Sequence, residues 1–317
     1  MIFEMAPLEG LTTFVYRRAY AKYINDIDVY YTPFISLHRD KEFNYKELRE
    51  CSPEYNQGIH LIPQVLTNSS DDYLRAEQKF AQFGYTELNI NFGCPSGTVT
   101  AKAKGSGMLG DLERLQRFLD EVFEKHELDI SIKTRIGMKD CADWEKILEI
   151  YNQYPLKKLI IHPRVRQDFY NNVPNKEAFA YAMEHSKNPL CYNGDIFHKK
   201  AYETLLEEFP TLENVMLGRG LIANPGLVGC LRGNEPLKKE TLRNFYEEIY
   251  DAYSSMLSGD KTILFRMKEF WLYMLHAFEY SEKYEKKIKK MTSLSEYQIL
   301  VDEIFRELPL KQPFGII

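Results

Sequence analysis

Short apolar, β-branched runs recur along the first three-quarters of the chain, beginning near Ile2, Asp28, His60, Thr86, Ile130, Lys158, Leu190 and Asn214. Between most of them apolar positions return at helical spacing, which predicts helices over residues 14–24, 71–83, 112–123, 144–154, 177–184 and 201–209. Strand followed by helix, repeated, makes the strands parallel and puts the helices outside them. Eight such units predict an α/β fold of the (β/α)8 TIM-barrel type, for which ~250 residues is typical. An open doubly wound sheet has the same alternation; the count of eight favours the barrel. The strand starts lie 24 to 44 residues apart, and the widest gap follows the fourth strand, where residues 93–110 form a long loop.

After Gly233 the strand pattern stops. Residues 242–256, 263–278 and 295–308 each carry apolar positions at helical spacing, and Ser293 with Glu296 resembles a capping box opening the last helix. Gly233-Asn234-Glu235-Pro236 punctuates the change. The expected organisation is therefore a barrel domain over 1–233 and a C-terminal all-helical domain over 234–317.

Composition narrows the class. Of 317 residues 44% are apolar, enough for a large core, which excludes a disordered chain. Lys+Arg number 41 against 46 Asp+Glu, a net charge of −5, which excludes a basic coat over the whole surface but leaves room for a local patch. Five scattered cysteines, none spaced Cys-x-x-Cys, argue for a reducing compartment and against a structural metal. No run approaches the ~18–20 apolar residues of a membrane span. A soluble, cytoplasmic, metal-free monomer is the expectation.

In an α/β barrel the chemistry gathers at the C-terminal ends of the strands. Here those ends read Ala6-Pro7-Leu8-Glu9-Gly10, Pro63-Gln64, Asn89-Ile90-Asn91-Phe92-Gly93-Cys94-Pro95, Lys133-Thr134-Arg135, His162-Pro163-Arg164, Asn193-Gly194-Asp195 and Gly218-Arg219-Gly220. A purely structural barrel has no need of so many polar ends, because buried amides and charges without partners cost free energy. Glycines beyond the last two strands let backbone N–H groups approach an anion, and Arg219 adds a charge-assisted donor, so these turns suit a phosphate as well as two ordinary tight connections. Lys133 and His162 suit the polar edge of a flavin, where a cation stabilises the reduced ring, and Gln64 can donate and accept at its pyrimidine side.

Cys94 is the candidate reactive group. A free cysteine is most often a small buried hydrophobe, but this one stands between Gly93 and Pro95 on the long loop. With an ordinary pKa of ~8.5 its thiol is mostly protonated at neutral pH and can give a proton. Gly105-Ser106-Gly107-Met108-Leu109-Gly110 matches a dinucleotide fingerprint, yet the polar residues 100–104 before it make no buried strand. It reads instead as a mobile lid, whose Lys102 and Lys104 border the cleft.

These motifs, with Lys104-Gly105-Ser106-Gly107-Met108-Leu109, Asn193-Gly194-Asp195-Ile196 and Val215-Met216-Leu217-Gly218-Arg219-Gly220, stand in an order that resembles the tRNA-dihydrouridine synthases. Asn-x-Gly-Cys-Pro is the most specific of them. The resemblance implies an FMN barrel with Pro7, Leu8, Glu9, Gln64, Lys133, His162, Asn193, Gly194, Asp195, Gly218 and Arg219 at cofactor positions. It implies Cys94 as the catalytic cysteine and Asn91, Arg164 and Tyr170 near the substrate uracil. The implied reaction reduces the C5=C6 bond of a tRNA uridine, in the D-loop by family expectation, with NADPH or NADH as reductant. The chain departs from the family pattern at Leu8 (usually Met) and Pro163 (usually Gly), and it lacks the usual Gly after Tyr170.

Residues 281–290, with five lysines against two glutamates, are a candidate tRNA-backbone patch or simply a solvated helix face. Rival readings are another FMN barrel acting on a small molecule, an aldolase using Lys133 as a Schiff base, and a tRNA-binding protein without turnover.

Overall fold

The computed structural model describes residues 1–37 and 43–311; the last six residues of the expected 234–317 domain lie outside it. Ten short strands form one parallel sheet: β1 (Ile2–Met5), β2 (Val29–Tyr31), β3 (Ile35–Ser36), β4 (Leu61–Ile62), β5 (Gln64–Leu66), β6 (Glu87–Phe92), β7 (Asp129–Arg135), β8 (Lys158–His162), β9 (Leu190–Tyr192) and β10 (Asn214–Leu217). Their order is β3-β5-β6-β7-β8-β9-β10-β1-β2-β4. The two ends of that order are halves of the same two runs. Only Pro63 separates β4 from β5, and Thr32-Pro33-Phe34 separates β2 from β3. A proline has no N–H to give the ladder, so each run breaks there. Pro63 still accepts from Asn89 N through its carbonyl (2.9 Å), and Thr32 bridges the gap by donating its N–H to Ile62 O (3.2 Å) while its hydroxyl accepts from Gln64 N (2.9 Å). Eight strand positions therefore close a ring, the expected TIM barrel.

Side chains alternate between the two faces of each strand. Ala6, Val29, Tyr31, Ile62, Ile160, Cys191 and Met216 form one buried cluster inside the barrel. Register carries the same inward parity to Asn89, Asn91, Ser131 and Lys133. The opposite parity meets helices: Phe92 packs edge-on against Phe118 (5.9 Å between centroids), Tyr192 against Phe179 (4.9 Å), and the Thr134 hydroxyl lies 3.0 Å from that of Tyr151. Lys158 of β8 pairs with Glu4 of β1, three strands away in the order, so this ion pair crosses the interior.

The chain folds as two compact units. The first comprises Met1–Pro7, Val29–Gly194 and Phe209–Met216 and holds the strands. Its helices Ser70–Gln82, Leu112–Phe123, Trp144–Tyr151 and Lys176–His185 follow the predicted amphipathic stretches. Ser69, Asp111 and Asn175 cap three of them by accepting from the backbone N–H of Asp72, Arg114 and Ala178. A helix over Tyr45–Cys51, opened by an Asn44–Glu47 capping box, is not foreseen by the apolar pattern, because only Cys51 of its residues is buried.

The second unit comprises Leu8–Asp28, Asp195–Glu208 and Leu217–Ile317. Within it the predicted helix near 14–24 runs Phe14–Tyr23 and packs on Lys239–Met256, where Tyr16 meets Phe245 edge-on (5.3 Å), while the same Tyr16 stacks on Phe270 (5.8 Å) of Asp260–Met274. Trp271, Tyr246, Phe278 and Phe305 make a second aromatic cluster. Among the described residues the tail has four α-helices rather than three, Glu282–Lys290 being added to Lys239–Met256, Asp260–Met274 and Leu294–Glu307. Of the suggested capping box one arm is present, with Ser293 accepting from Glu296 N. Among the described residues no helix is long and apolar enough to cross a membrane.

Candidate active site

The loop after β6 is shaped by Asn91. Its side chain points inward, and Oδ1 accepts the backbone N–H groups of Gly93 (3.0 Å) and Cys94 (2.8 Å), turning the chain as soon as the strand ends. Cys94 is half-buried and reduced. Its carbonyl accepts from both the N–H (3.1 Å) and the hydroxyl (2.9 Å) of Ser106. The glycine-rich segment is thus a correction to the expected lid. Gly105–Gly110 is a 3-10 helix with Gly105, Ser106, Met108 and Leu109 buried, and it supports the Cys94 turn from behind. Gly105 has φ +56, and a Cβ there would come within 2.9 Å of Cys94 O, so the support is close enough to demand glycine. Lys104, expected with Lys102 to border the cleft, donates Nζ to Leu37 O (2.6 Å), and burial lowers its pKa; Lys102 is exposed.

From Asn91 a line of amides runs down the barrel interior. Asn91 Nδ2 donates to Gln64 Oε1 (2.7 Å), Gln64 Nε2 to Asn89 Oδ1 (2.7 Å), and Asn89 Nδ2 to Ser131 Oγ (2.9 Å). Every amide donates away from Cys94, so the line has one polarity and leaves Gln64 one further N–H to offer. Level with Asn91 on β7 is Lys133. Its ammonium has no hydrogen bond or ion pair among the described residues. Although part of the side chain is accessible, it lies deep among barrel atoms. Burial, and after it the Arg135 guanidinium, lower its pKa to about 7, while the Cys191 and Cys94 thiols act in the opposite direction.

The loop after β8 completes this side of the barrel. His162 Nε2 lies 3.1 Å from Arg164 Nη1, and the Tyr170 ring sits over His162 at 5.9 Å. Arg164, 1% exposed, also donates Nε to Asn172 O. Two arginines beyond the candidate set tie the loops together. Arg135 is equally buried and donates to Gly93 O (3.0 Å), Val165 O (2.8 Å) and Phe169 O (2.8 Å), with Tyr170 5.7 Å from its guanidinium. Arg166 donates to Pro95 O (3.1 Å). Alternation along β7 could have marked Arg135, since it shares the inward face with Ser131 and Lys133. Nothing local in the sequence marks Arg166.

The first unit also holds Pro7, half-buried, Asn193, whose Nδ2 donates to Met216 O (2.8 Å), and Gly194, buried. The second unit holds the remaining predicted cofactor residues. Leu8 N donates to the Thr12 hydroxyl (2.7 Å), which fixes the turn, and Glu9 is exposed. Arg219 Nη2 donates to Asp195 Oδ1 (2.7 Å), so its charge is already matched by a carboxylate, and its guanidinium lies over Phe197 (5.3 Å). Gly218 precedes the short helix Arg219–Ala223. Gly220 faces Ile196 O so closely that a Cβ would stand 2.3 Å from it, which explains the glycine in structural terms.

Solved structures with a similar fold include morphinone reductase (TM-score 0.52, 14% identity, covering 77% of this chain and 88% of that one) and the old yellow enzyme from Trypanosoma cruzi (TM-score 0.52, 9% identity, 78% and 92%). At such identities they show the barrel fold alone. Among curated sequences, the chain is 25% identical over 321 residues to a probable tRNA-dihydrouridine synthase of Helicobacter pylori strain 26695, covering 96% of this chain and 92% of that protein. It is 27% identical over 243 residues to one of Staphylococcus aureus strain Mu50, covering 70% and 69%. The dihydrouridine synthase (Dus) family matches residues 4–308. With that match running from the first strand to the last helix, the chain belongs to the dihydrouridine synthase family.

Proposed function

We propose that the protein reduces the C5=C6 bond of a uridine in tRNA, at a D-loop position, to 5,6-dihydrouridine. FMN is the cofactor, NADPH the reductant and Cys94 the proton donor to C5. The observation that carries this reading is a half-buried thiol on a turn held by Asn91, with the Lys133 ammonium, which has no hydrogen bond or ion pair among the described residues, level with Asn91 on the next strand.

The residues fit FMN. Lys133 has no hydrogen bond or ion pair among the described residues, and burial, with the Arg135 guanidinium after it, depresses its pKa; the electron-rich N1–C2=O edge of a flavin would offer it a counter-charge. Gln64 retains an amide hydrogen for the pyrimidine side, and His162 stands within reach of the same interior. By the order of the family motif, Pro7, Asn193 and Gly194, and in the second unit Leu8, Glu9, Asp195, Gly218 and Arg219, are assigned as further cofactor contacts. When bound, FMN recharged by NADPH supplies the hydride that adds to C6.

The chain's own work is to hold, orient and protonate. Cys94 Sγ delivers its proton to C5, and partial exposure allows the thiol to be reprotonated from solvent. Asn91, Arg164 and Tyr170 are assigned to the uracil. Asn91 acts chiefly through the Cys94 turn, because its Oδ1 is occupied by two backbone N–H groups. A uridine inside folded RNA cannot reach a barrel interior unless its base swings out of the stack. The helices of 234–317 are assigned to tRNA, with Lys283, Lys286, Lys287, Lys289 and Lys290 as phosphate contacts. The protein works as a monomer in the cytoplasm, where its substrate is.

Two measurements test this together. The purified protein should be yellow, with absorbance near ~450 nm, as expected for bound flavin. tRNA from cells lacking the protein should lose the two-hydrogen mass increment on one uridine, and the purified enzyme with NADPH should restore it. A colourless protein would exclude every flavin reading and revive Lys133 as an aldolase nucleophile. A yellow protein that leaves tRNA unchanged would point to a small-molecule oxidoreductase or to tRNA binding alone.

A further inference from the structure

The loop after β8 contains a feature that neither the barrel nor the candidate chemistry requires. Phe169 has φ +48 and ψ −96, in the half of conformational space that bulky side chains avoid. The backbone is forced into it from several sides: Arg135 Nη2 donates to Phe169 O (2.8 Å), Phe169 N to Arg166 O (3.2 Å), and Asn171 N to Asp168 O (2.8 Å). Arg166 N and Gln167 N are in turn held by Gly137 O (2.9 Å) and Met138 O (3.1 Å). Glycine would hold this turn at less cost. Instead it carries an aromatic ring that is 41% exposed, followed by Tyr170 at 43% and Val173 at 82%. Arg166 lies over the Phe169 ring (5.4 Å) and also grips Pro95 beside Cys94, so the exposed ring and the thiol loop share one anchor.

We propose that Phe169 is the platform on which a nucleobase neighbouring the reduced uridine stacks, holding the RNA open while the target base enters beside Tyr170. The proposal rests on the reading of an RNA substrate. Swinging a base out of a stack leaves its neighbour with an uncovered π-face, and an exposed aromatic ring backed by a guanidinium is the group that covers it. Persistent backbone strain of this kind clusters at active sites, ligand clamps and switch regions.

The test compares full-length, flavin-loaded wild type with Phe169→Gly, Phe169→Leu and Phe169→Trp, on bulk tRNA lacking dihydrouridine. In Phe169→Gly, kcat/KM for tRNA should fall about 5- to 150-fold, the worth of one stacked base, while Tm holds or rises because the strain is relieved. NADPH-driven flavin reduction and the alkylation rate of Cys94 without tRNA should not change. Phe169→Trp should retain activity and Phe169→Leu should lose most of it. Undiminished tRNA turnover by Phe169→Gly or Phe169→Leu would overturn the stacking role alone. So would a drop in Tm with altered Cys94 alkylation, since that is what a structural residue would give. Wild type that forms no dihydrouridine in tRNA would overturn the functional reading and this proposal with it.

Discussion

The side chain of Asn91 holds the backbone of Cys94: one carboxamide oxygen takes the N–H groups of residues 93 and 94 at 3.0 and 2.8 Å. The thiol is therefore aimed by the strand two residues before it. Asn91→Leu leaves both N–H groups without an acceptor, at about 1–3 kcal/mol for each that stays buried. The expected outcome is a folded, less stable protein with a changed Cys94 alkylation rate, read by denaturant titration and mass spectrometry.

Cys94→Ala should leave flavin content unchanged and lower dihydrouridine formation by about 10²- to 10⁴-fold, the usual worth of a positioned acid. Absorbance and product mass are the readouts. Near wild-type product from this variant would remove Cys94 from the reaction.

Lys133 sets a pH dependence. Its pKa is about 7 in the flavin-free fold against 10.5 ordinarily. Between those values the unfolded chain binds more protons than the folded one, so the stability of flavin-free protein rises with pH across that window. Lys133→Met should abolish that rise, and should stabilise the flavin-free protein below pH 7, where the buried charge is costliest. The same variant should retain flavin poorly. Melting curves at pH 6 and pH 9, with flavin content, check both arms.

Gly105→Ala places a methyl group against Cys94 O at a positive φ. About 1–3 kcal/mol of destabilisation is expected, together with a displaced Cys94 turn. A variant of unchanged stability and reactivity would mean that the segment yields and does not support the turn.

Replacing Lys283, Lys286, Lys287, Lys289 and Lys290 by Ala should weaken tRNA binding and flatten its dependence on salt, since each lost phosphate contact removes about 0.7–0.9 from the slope of log K against log salt. Lys289 is engaged with Glu285, and Lys283 and Lys287 lie over Tyr284 (4.9 and 5.3 Å), which holds the cluster on one helix. An unchanged slope would return these lysines to the status of a solvated face.

The eight-unit barrel was legible in the sequence because strand and helix periodicities are local, and each amphipathic stretch named the face it would bury. The position of Cys94, Lys133 and His162 was legible: His162 closes β8, Lys133 stands two residues before the end of β7 and Cys94 two beyond that of β6, and in this fold strand ends are where chemistry is expected. Tertiary structure alone decided what the residues between them do. The segment Gly105–Gly110 reads as a lid by composition, yet it is buried because a long loop returns beneath Cys94. Arg135 reads only as one more polar strand end and Arg166 is unmarked, yet each bonds to carbonyls of loops 30 to 71 residues away. Periodicity reports which way a side chain faces, while a partner distant along the chain exists only once the ring of strands has closed.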